Sequence, residues 1–275
     1  MAKKALCVGI NDYPGDGSDL NGCVNDAKAW AQLLIDQYGF AKNGVTVLTD
    51  AQATKANIMA GIKKLLAGAK SGDVLVFQNS SHGTYVADED ADEERFDEAL
   101  CPYDCADNLI VDDELRGLFG GIGKGVSLTV IADNCHSGTV TRAAVAENLP
   151  GMRTPDDRRV RFLHPSLIGR RGVANPWSRA TRAASARTAK YPESKMKDVL
   201  LAGCTPNEYS YDALIDGTYH GAMTFYALQA IKAADYRITY AQLHARLRYL
   251  LDANGYPQHP QLEGNAQNKK KQIFS

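Results

Sequence analysis

Short apolar runs alternate along the chain with segments in which apolar residues recur every three or four positions. The runs have the length of strands and lack polar alternation, which is typical of a parallel sheet covered on both faces. Amphipathic segments separate them, as a series of βαβ units requires. The predicted strands are residues 4–10, 45–48, 73–78, 127–132, 199–202 and 261–263. The predicted helices are residues 24–38, 54–69, 112–119, 222–233 and 240–254. The pattern therefore predicts an α/β fold with a mainly parallel six-stranded sheet and helices on both faces.

Composition narrows the class of protein. Of the 275 residues, 44% are hydrophobic and 23% are charged, which excludes a disordered or fibrous chain. The net charge of -1 creates no global field, so we expect neither nucleic acid nor a membrane as a partner. The first apolar run is too short for a secretory signal, which favours a cytoplasmic protein. Six widely spaced cysteines indicate free thiols rather than a disulfide framework.

Charge is distributed unevenly. Residues 88–98 carry eight acids and one base, whereas residues 142–197 carry thirteen bases and four acids. The basic stretch also contains five prolines and no sustained period, so we interpret it as a long exposed linker or insertion. The predicted organisation is residues 1–141, the linker 142–197, and residues 198–275, with the two outer parts forming one domain.

Two predicted strands run into reactive side chains. Residues 73–78 lead to His82 and Gly83, and residues 127–132 lead to Cys135. The carboxyl ends of parallel strands form the ligand-binding edge of such a sheet. There His82 can serve as general base for a Cys135 thiolate, and the Gly83 N–H can bind an oxyanion. Taken singly, a strand-capping histidine and a core thiol are the simpler explanations; the pair favours catalysis.

Four motifs resemble those of metacaspases, a family of caspase-like cysteine peptidases. In order they are Gly22-Cys23-Val24-Asn25-Asp26-Ala27, Ser80-Ser81-His82-Gly83, Asp133-Asn134-Cys135-His136-Ser137-Gly138 and Gln258-His259-Pro260-Gln261-Leu262. Bacterial metacaspases, also called orthocaspases, are the most similar class. Ser81 stands where the family has glycine, and Asn134 where serine is common; neither change removes a reacting group. The resemblance implies a caspase-like fold and a peptidase that uses His82 and Cys135.

The resemblance also implies a substrate pocket. Asp26 and Asp133 would be its acids, with Cys23 and Ser80 on its walls. A buried cation needs a paired anion, so such a pocket selects Arg or Lys before the scissile bond. Without the resemblance, the preferred explanation of Asp26 is an acid stabilised by a helix N-terminus.

A calcium site is a further expectation from the resemblance. Carboxylates at the density of residues 88–98 repel one another, and a hard cation relieves that repulsion. The resemblance singles out Asp97, Asp112 and Asp113 as ligands. A solvated loop is the alternative. Cys101 and Cys105 lack the second ligand pair that structural zinc needs.

The leading hypothesis is a monomeric endopeptidase that cleaves protein or peptide substrates after Arg or Lys. The chemistry requires no cofactor, and calcium is a possible activator. We expect the basic linker to be a target of the enzyme itself; the alternatives are a stretch that is basic only for solubility and an uncut segment that folds over the active site. Two alternatives stay open: an inactive caspase-like scaffold that binds a partner through its groove, and a cysteine hydrolase with another acyl substrate.

Overall fold

A six-stranded sheet forms the centre of the protein in a computed structural model that describes residues 1–15, 17–87, 96–135, 158–168, 196–205 and 208–275. Its strands are Lys3–Gly9 (β1), Val45–Thr49 (β2), Val74–Ser80 (β3), Ser127–Asp133 (β7), Val199–Ala202 (β9) and Gln261–Glu263 (β12). Their order across the sheet is β12-β9-β7-β3-β1-β2. All neighbouring pairs are parallel except β12 with β9. All six are strands that the apolar runs predict.

Helices cover both faces of this sheet. They are Cys23–Tyr38 (α1), Lys55–Leu66 (α2), Asp112–Gly120 (α3), Ala222–Ala233 (α4), Tyr240–Ala253 (α5) and Ala266–Lys269 (α6). Side chains of α1, α4 and α5 pack into one hydrophobic cluster, and side chains of α2 and α3 pack into another. Successive β1 residues from Ala5 to Val8 alternate between these clusters, which explains why this part of the strand is apolar without interruption.

Two small antiparallel sheets lie beside the main one, and the apolar runs do not predict them. One contains Gly83–Ala87 (β4), Phe96–Leu100 (β5) and Ile110–Val111 (β6). The other contains Arg159–Val160 (β8), Tyr211–Ile215 (β10) and Thr218–Gly221 (β11). These strands are short or polar, so their pairing partners rather than their own sequences define them.

Three neighbouring strands end at the same level. In the register of β1, β3 and β7, Gly9 lies opposite Ser80, and Ser80 lies opposite Asp133. The chain therefore leaves β3 towards His82 and leaves β7 towards Cys135 from adjacent points of one edge. This confirms the predicted placement of both candidate residues at the carboxyl edge of the sheet.

Part of the basic stretch is packed rather than exposed. The expectation of an exposed linker over residues 142–197 is wrong for residues 158–165, because β8 pairs with β10 and Arg161 is completely buried. The cause is a set of carboxylates that Arg161 meets only in the folded chain. The remaining linker residues up to 195 lie outside the described part, and the three-part division stays a prediction.

Within the described residues, no helix combines the length and the apolar character that crossing a bilayer requires. The six cysteines are all buried and all free, as their spacing predicts.

Candidate active site

His82 is held in one tautomer. Its side chain is 4% exposed, and its Nε2 lies 2.7 Å from the carbonyl oxygen of Ser18. A carbonyl oxygen only accepts, so Nε2 carries the proton and Nδ1 is the free base of the neutral ring. Nδ1 is itself buried and has no hydrogen-bond partner in the described part of the chain. Burial, with smaller contributions from Arg161 and Arg159, lowers the pKa of His82 to about 3.

Tyr13 supports the backbone at His82. The Tyr13 ring lies 5.1 Å from the imidazole between centroids. Its hydroxyl accepts from the His82 N–H at 3.1 Å and donates to the Cys101 carbonyl oxygen at 2.9 Å. The Cys101 N–H in turn donates to the His82 carbonyl oxygen at 3.0 Å. Sequence analysis missed Tyr13 and Ser18, because both act through contacts that are distant along the chain.

Cys135 is completely buried directly after β7. Its Sγ accepts from the Ser210 N–H at 2.9 Å and lies 3.5 Å from the Ser210 carbonyl oxygen. The thiol therefore points towards the residue that precedes β10, and no hydrogen bond joins it to His82 among the described contacts. A rotation about the Cys135 Cα–Cβ bond would be needed to direct Sγ to another partner.

Two backbone N–H groups converge on one carbonyl oxygen. Gly83 N and Cys135 N donate to the carbonyl oxygen of Arg161 at 3.0 and 3.2 Å. This is the arrangement of an oxyanion hole, in which paired donors face the oxygen that becomes negative during acyl transfer. A Cβ at position 83 would come within 1.8 Å of the Cys135 carbonyl oxygen, so the close approach requires glycine.

Three carboxylates surround the guanidinium of Arg161, and we call them the acidic pocket: Asp26 from α1, Asp133 from β7 and Asp212 from β10. Arg161 Nη2 lies 2.7 Å from Asp26 Oδ2 and 3.2 Å from Asp212 Oδ1, and Nη1 lies 3.2 Å from Asp133 Oδ2. None of these side chains is more than 1% exposed. Burial opposes the charge of Arg161, yet the surrounding acidic groups raise its pKa well above its ordinary value.

Backbone and hydroxyl groups hold the acids in place. Asp133 accepts from the Ser210 hydroxyl at 2.6 Å and from the Thr224 hydroxyl at 2.7 Å. Asp26 accepts from the Gly221 N–H at 3.1 Å, and burial raises its pKa although Arg161 works in the opposite direction. Asp26 and Asp133 are therefore held by protein donors in addition to the guanidinium.

Asp212 is the pocket residue that sequence analysis missed. It accepts from Asn21 N–H at 2.7 Å and from Gly22 N–H at 2.9 Å, and so ties β10 to the segment before α1. An acid within the otherwise apolar strand β10 was the available signal. Arg161 offered a similar one, as a single base between Val160 and Phe162.

The other predicted wall residues lie near the pocket. Cys23 begins α1, is completely buried, and interacts electrostatically with Arg161. Burial raises the pKa of its thiol well above the ordinary value. Ser80 ends β3 and is also completely buried, with its hydroxyl accepting from the Gln78 side chain at 2.9 Å.

The segment around Arg161 is bound as an extended strand, and we call residues 158–163 the internal segment. Val160 pairs with Tyr211, and the Arg161 N–H donates to the Ser210 carbonyl oxygen at 2.9 Å. Beyond Arg161, the Leu163 N–H donates to the Gly83 carbonyl oxygen at 2.9 Å. The backbone is therefore held on both sides of the Arg161 carbonyl group.

The proposed calcium ligands lie at another edge. Asp97 is on β5, and Asp112 and Asp113 begin α3 directly after β6, the neighbour of β5. The Asp112 carboxylate lies 3.0 Å from the guanidinium of Arg116. No group of three or more potential ligands forms a metal site among the residues that the structure describes. These three acids therefore do not complete a calcium site by themselves, and residues 88–95 lie outside the described chain.

A buried histidine after β3, a cysteine after β7 whose N–H shares an acceptor with the Gly83 N–H, and a six-stranded sheet with helices on both faces are the features of the caspase-like class of proteins. Residues 3–144 match the family described as "Metacaspase, peptidase C14 domain". Metacaspase-1 of Scheffersomyces stipitis is 31% identical over 286 residues, which covers 94% of this chain and 70% of that protein. The chain belongs to the metacaspase family.

Further comparisons show how much of this chain and of each related protein is similar. Metacaspase-7 of Arabidopsis thaliana is 43% identical over 145 residues, which covers 50% of this chain and 35% of that protein. Protein GSU0716 from Geobacter sulfurreducens has a TM-score of 0.71 and 26% identity, covering 100% of this chain and 99% of its own. Caspase-1 from Spodoptera frugiperda shares the fold, with a TM-score of 0.57, 13% identity, and coverage of 95% and 86%. These comparisons confirm the predicted caspase-like α/β fold.

Proposed function

We propose that the protein is a cysteine endopeptidase that hydrolyses peptide bonds after Arg or Lys. One observation carries this proposal: the protein binds its own Arg161 as a peptidase would bind a substrate. The guanidinium occupies the acidic pocket while the carbonyl oxygen of the same residue accepts from Gly83 and Cys135 N–H. A substrate arginine in the same position would present its carbonyl carbon next to the cysteine.

The residues around this carbonyl group support a two-stage reaction. His82 Nδ1 takes the proton of the Cys135 thiol, and the thiolate Sγ attacks the carbonyl carbon. The resulting oxyanion is stabilised by the Gly83 and Cys135 N–H groups. His82 then gives the proton to the departing amine, which leaves an acyl thioester on Cys135. A water molecule, deprotonated by His82, attacks the thioester and releases the acid and the thiol.

Charge supports the preference for Arg or Lys. Three buried carboxylates leave the pocket strongly negative when it is empty, so a cationic side chain is favoured because it offsets part of that negative charge. An aspartate side chain would add a fourth negative charge to the same volume, and its repulsion disfavours cleavage after Asp. Arginine fits more directly than lysine because its planar group contacts two carboxylates through one nitrogen and a third through another.

We also propose that the bond between Arg161 and Phe162 is the site of self-processing. Its support is the extended, groove-bound backbone on both sides of the Arg161 carbonyl group. The Cys135 thiol, however, points to Ser210, and His82 Nδ1 has no partner. In this conformation the internal segment therefore blocks the groove as an uncut inhibitor, until the thiol rotates and the bond is cleaved.

Peptide turnover and mass spectrometry test both proposals. Fluorogenic peptides ending in Arg, Lys, Asp or Asn are offered to wild type, Cys135→Ala and Cys7→Ala. Cys7 is a matched control, since it is a buried thiol within β1. Wild type and Cys7→Ala should cleave Arg and Lys peptides and carry a new terminus at Phe162; Cys135→Ala should do neither. Comparable turnover by Cys135→Ala would refute the peptidase assignment.

An intact 29.8 kDa chain in an enzyme that does cleave Arg peptides would refute self-processing and leave inhibition by the uncut segment. An enzyme that hydrolyses none of the four peptides, even after Arg161→Ala frees the pocket, would favour the inactive scaffold. Calcium activation, a monomeric state and a cytoplasmic location stay predictions from the sequence.

A further inference from the structure

We infer that Tyr85 and Tyr209 form a second specificity subsite, which receives an aromatic side chain immediately after the scissile bond. This inference rests on the proposed cleavage after Arg or Lys and adds a requirement on the other side of the bond. The preferred substrate class is accordingly a peptide in which Arg or Lys is followed by Phe or Tyr.

Phe162 shows how such a side chain is bound. It directly follows Arg161 and is only 5% exposed. Its ring lies 6.0 Å from the Tyr85 ring between centroids at an interplanar angle of 20°, and 6.3 Å from the Tyr209 ring at 47°. Both separations lie in the range in which aromatic pairs attract beyond simple area burial.

The backbone places this side chain independently of the ring contacts. Phe162 forms a bridge with Gly83 in the parallel direction, and the Leu163 N–H donates to the Gly83 carbonyl oxygen at 2.9 Å. Gly83 also holds the Arg161 carbonyl oxygen. Any peptide that uses the oxyanion hole and continues along Gly83 therefore directs its next side chain into the same space.

The two tyrosines are joined to the catalytic groups through short stretches of chain. Tyr85 lies on β4, two residues after Gly83, and is 3% exposed. Tyr209 precedes Ser210, whose backbone binds both the Arg161 N–H and the Cys135 thiol. Because both rings come from elements that position the reacting bond, they keep their place when a substrate replaces the internal segment.

Core packing is the alternative explanation of these three rings, and a peptide library separates the two. A proteome digest prepared by cleavage after Glu preserves Arg and Lys and is offered to wild type and to Arg161→Ala, in which the internal segment loses its ion pairs. Mass spectrometry of the new termini reports the residues on both sides of each cut. We expect Arg or Lys before the cut and Phe or Tyr after it, with aromatic residues enriched roughly tenfold over Ala.

Three variants of the enzyme test whether the two tyrosines cause the preference for an aromatic residue after the cut. Tyr85→Ala and Tyr209→Ala should each lower the Phe-to-Ala ratio after the cut several-fold. Tyr249→Ala is the matched control, since this α5 residue is 72% exposed, and it should leave the ratio unchanged. Tyr209 is only half-buried, so we expect Tyr209→Ala to fold. It can therefore test the subsite even if Tyr85→Ala does not fold.

The outcomes distinguish this inference from the proposed function. Cuts after Arg or Lys with no aromatic enrichment, or an enrichment that both tyrosine variants retain, overturn the aromatic subsite and leave the peptidase intact. A library without cuts after Arg or Lys overturns the proposed function and, with it, this inference.

Discussion

Asp212→Asn tests the acidic pocket at the residue that the sequence did not reveal. The substitution keeps the size of the side chain but removes its charge and one of the two oxygens that accept from the N–H groups of Asn21 and Gly22. In the folded chain Asp212 Oδ1 lies 3.2 Å from Arg161 Nη2, and both side chains are at most 1% exposed. The substitution should therefore weaken the binding of the cationic residue that precedes the scissile bond.

The magnitude follows from burial. Breaking a fully buried ion pair costs roughly 3–5 kcal/mol. Asp26 and Asp133 continue to neutralise the guanidinium in the variant, so we expect the smaller loss of about 2 kcal/mol in transition-state binding. That corresponds to a decrease of roughly 30-fold in kcat/KM for peptides ending in Arg.

The assay compares peptides ending in Arg with otherwise identical peptides ending in citrulline, which has the shape of arginine and no charge. The Arg-to-citrulline ratio of kcat/KM should fall roughly 30-fold in Asp212→Asn. Asp216→Asn is a suitable control, since Asp216 lies in the exposed turn after β10 and its left-handed backbone, with φ of 50°, tolerates asparagine. An unchanged ratio in Asp212→Asn, or an equal fall in Asp216→Asn, would show that this carboxylate does not recognise the cation.

Two further predictions concern pH and calcium. Burial lowers the pKa of His82 to about 3 in the folded chain, so below about pH 6.5 the unfolded chain binds more protons than the folded chain. The free energy of unfolding should therefore fall by about 2 kcal/mol between pH 7 and pH 5. Urea unfolding at the two pH values should show this loss in wild type and a smaller one in His82→Gln; equal losses would contradict the burial of a neutral imidazole. Millimolar calcium should raise the Tm of wild type, and a double Asp112→Ala, Asp113→Ala variant should lack the response. Isothermal titration without calcium uptake by wild type would remove the calcium hypothesis.

Local periodicity predicts the main sheet well, because its central strands β1, β3 and β7 are buried on both faces and are therefore apolar along most of their length. β9 and β12 have the predicted bounds, Val199–Ala202 and Gln261–Glu263. The short strands β8, β10 and β11 contain Arg159, Asp212 and His220, respectively. Their polar residues have partners in other parts of the chain, so no local pattern identifies them as strands.

The residues of the candidate site likewise include some that local sequence predicts and others that it does not. His82, Gly83 and Cys135 were predictable because each follows a recognisable strand, and the parallel register of β3 and β7 brings their carboxyl ends together. Asp26 could be assigned to the pocket only with the family resemblance, since without it an acid in the first turn of a helix is the simpler explanation.

The sequence by itself determined the layered α/β fold, the edge that holds the catalytic pair, and the basic character of residues 142–197. The tertiary structure alone decided where Arg161 lies: completely buried among Asp26, Asp133 and Asp212, with its carbonyl oxygen facing Cys135. The physical reason is that burial of a charged arginine becomes favourable only when carboxylates from distant segments meet around it. Hydrophobic periodicity describes which residues leave water, but it does not describe which distant charges will pair.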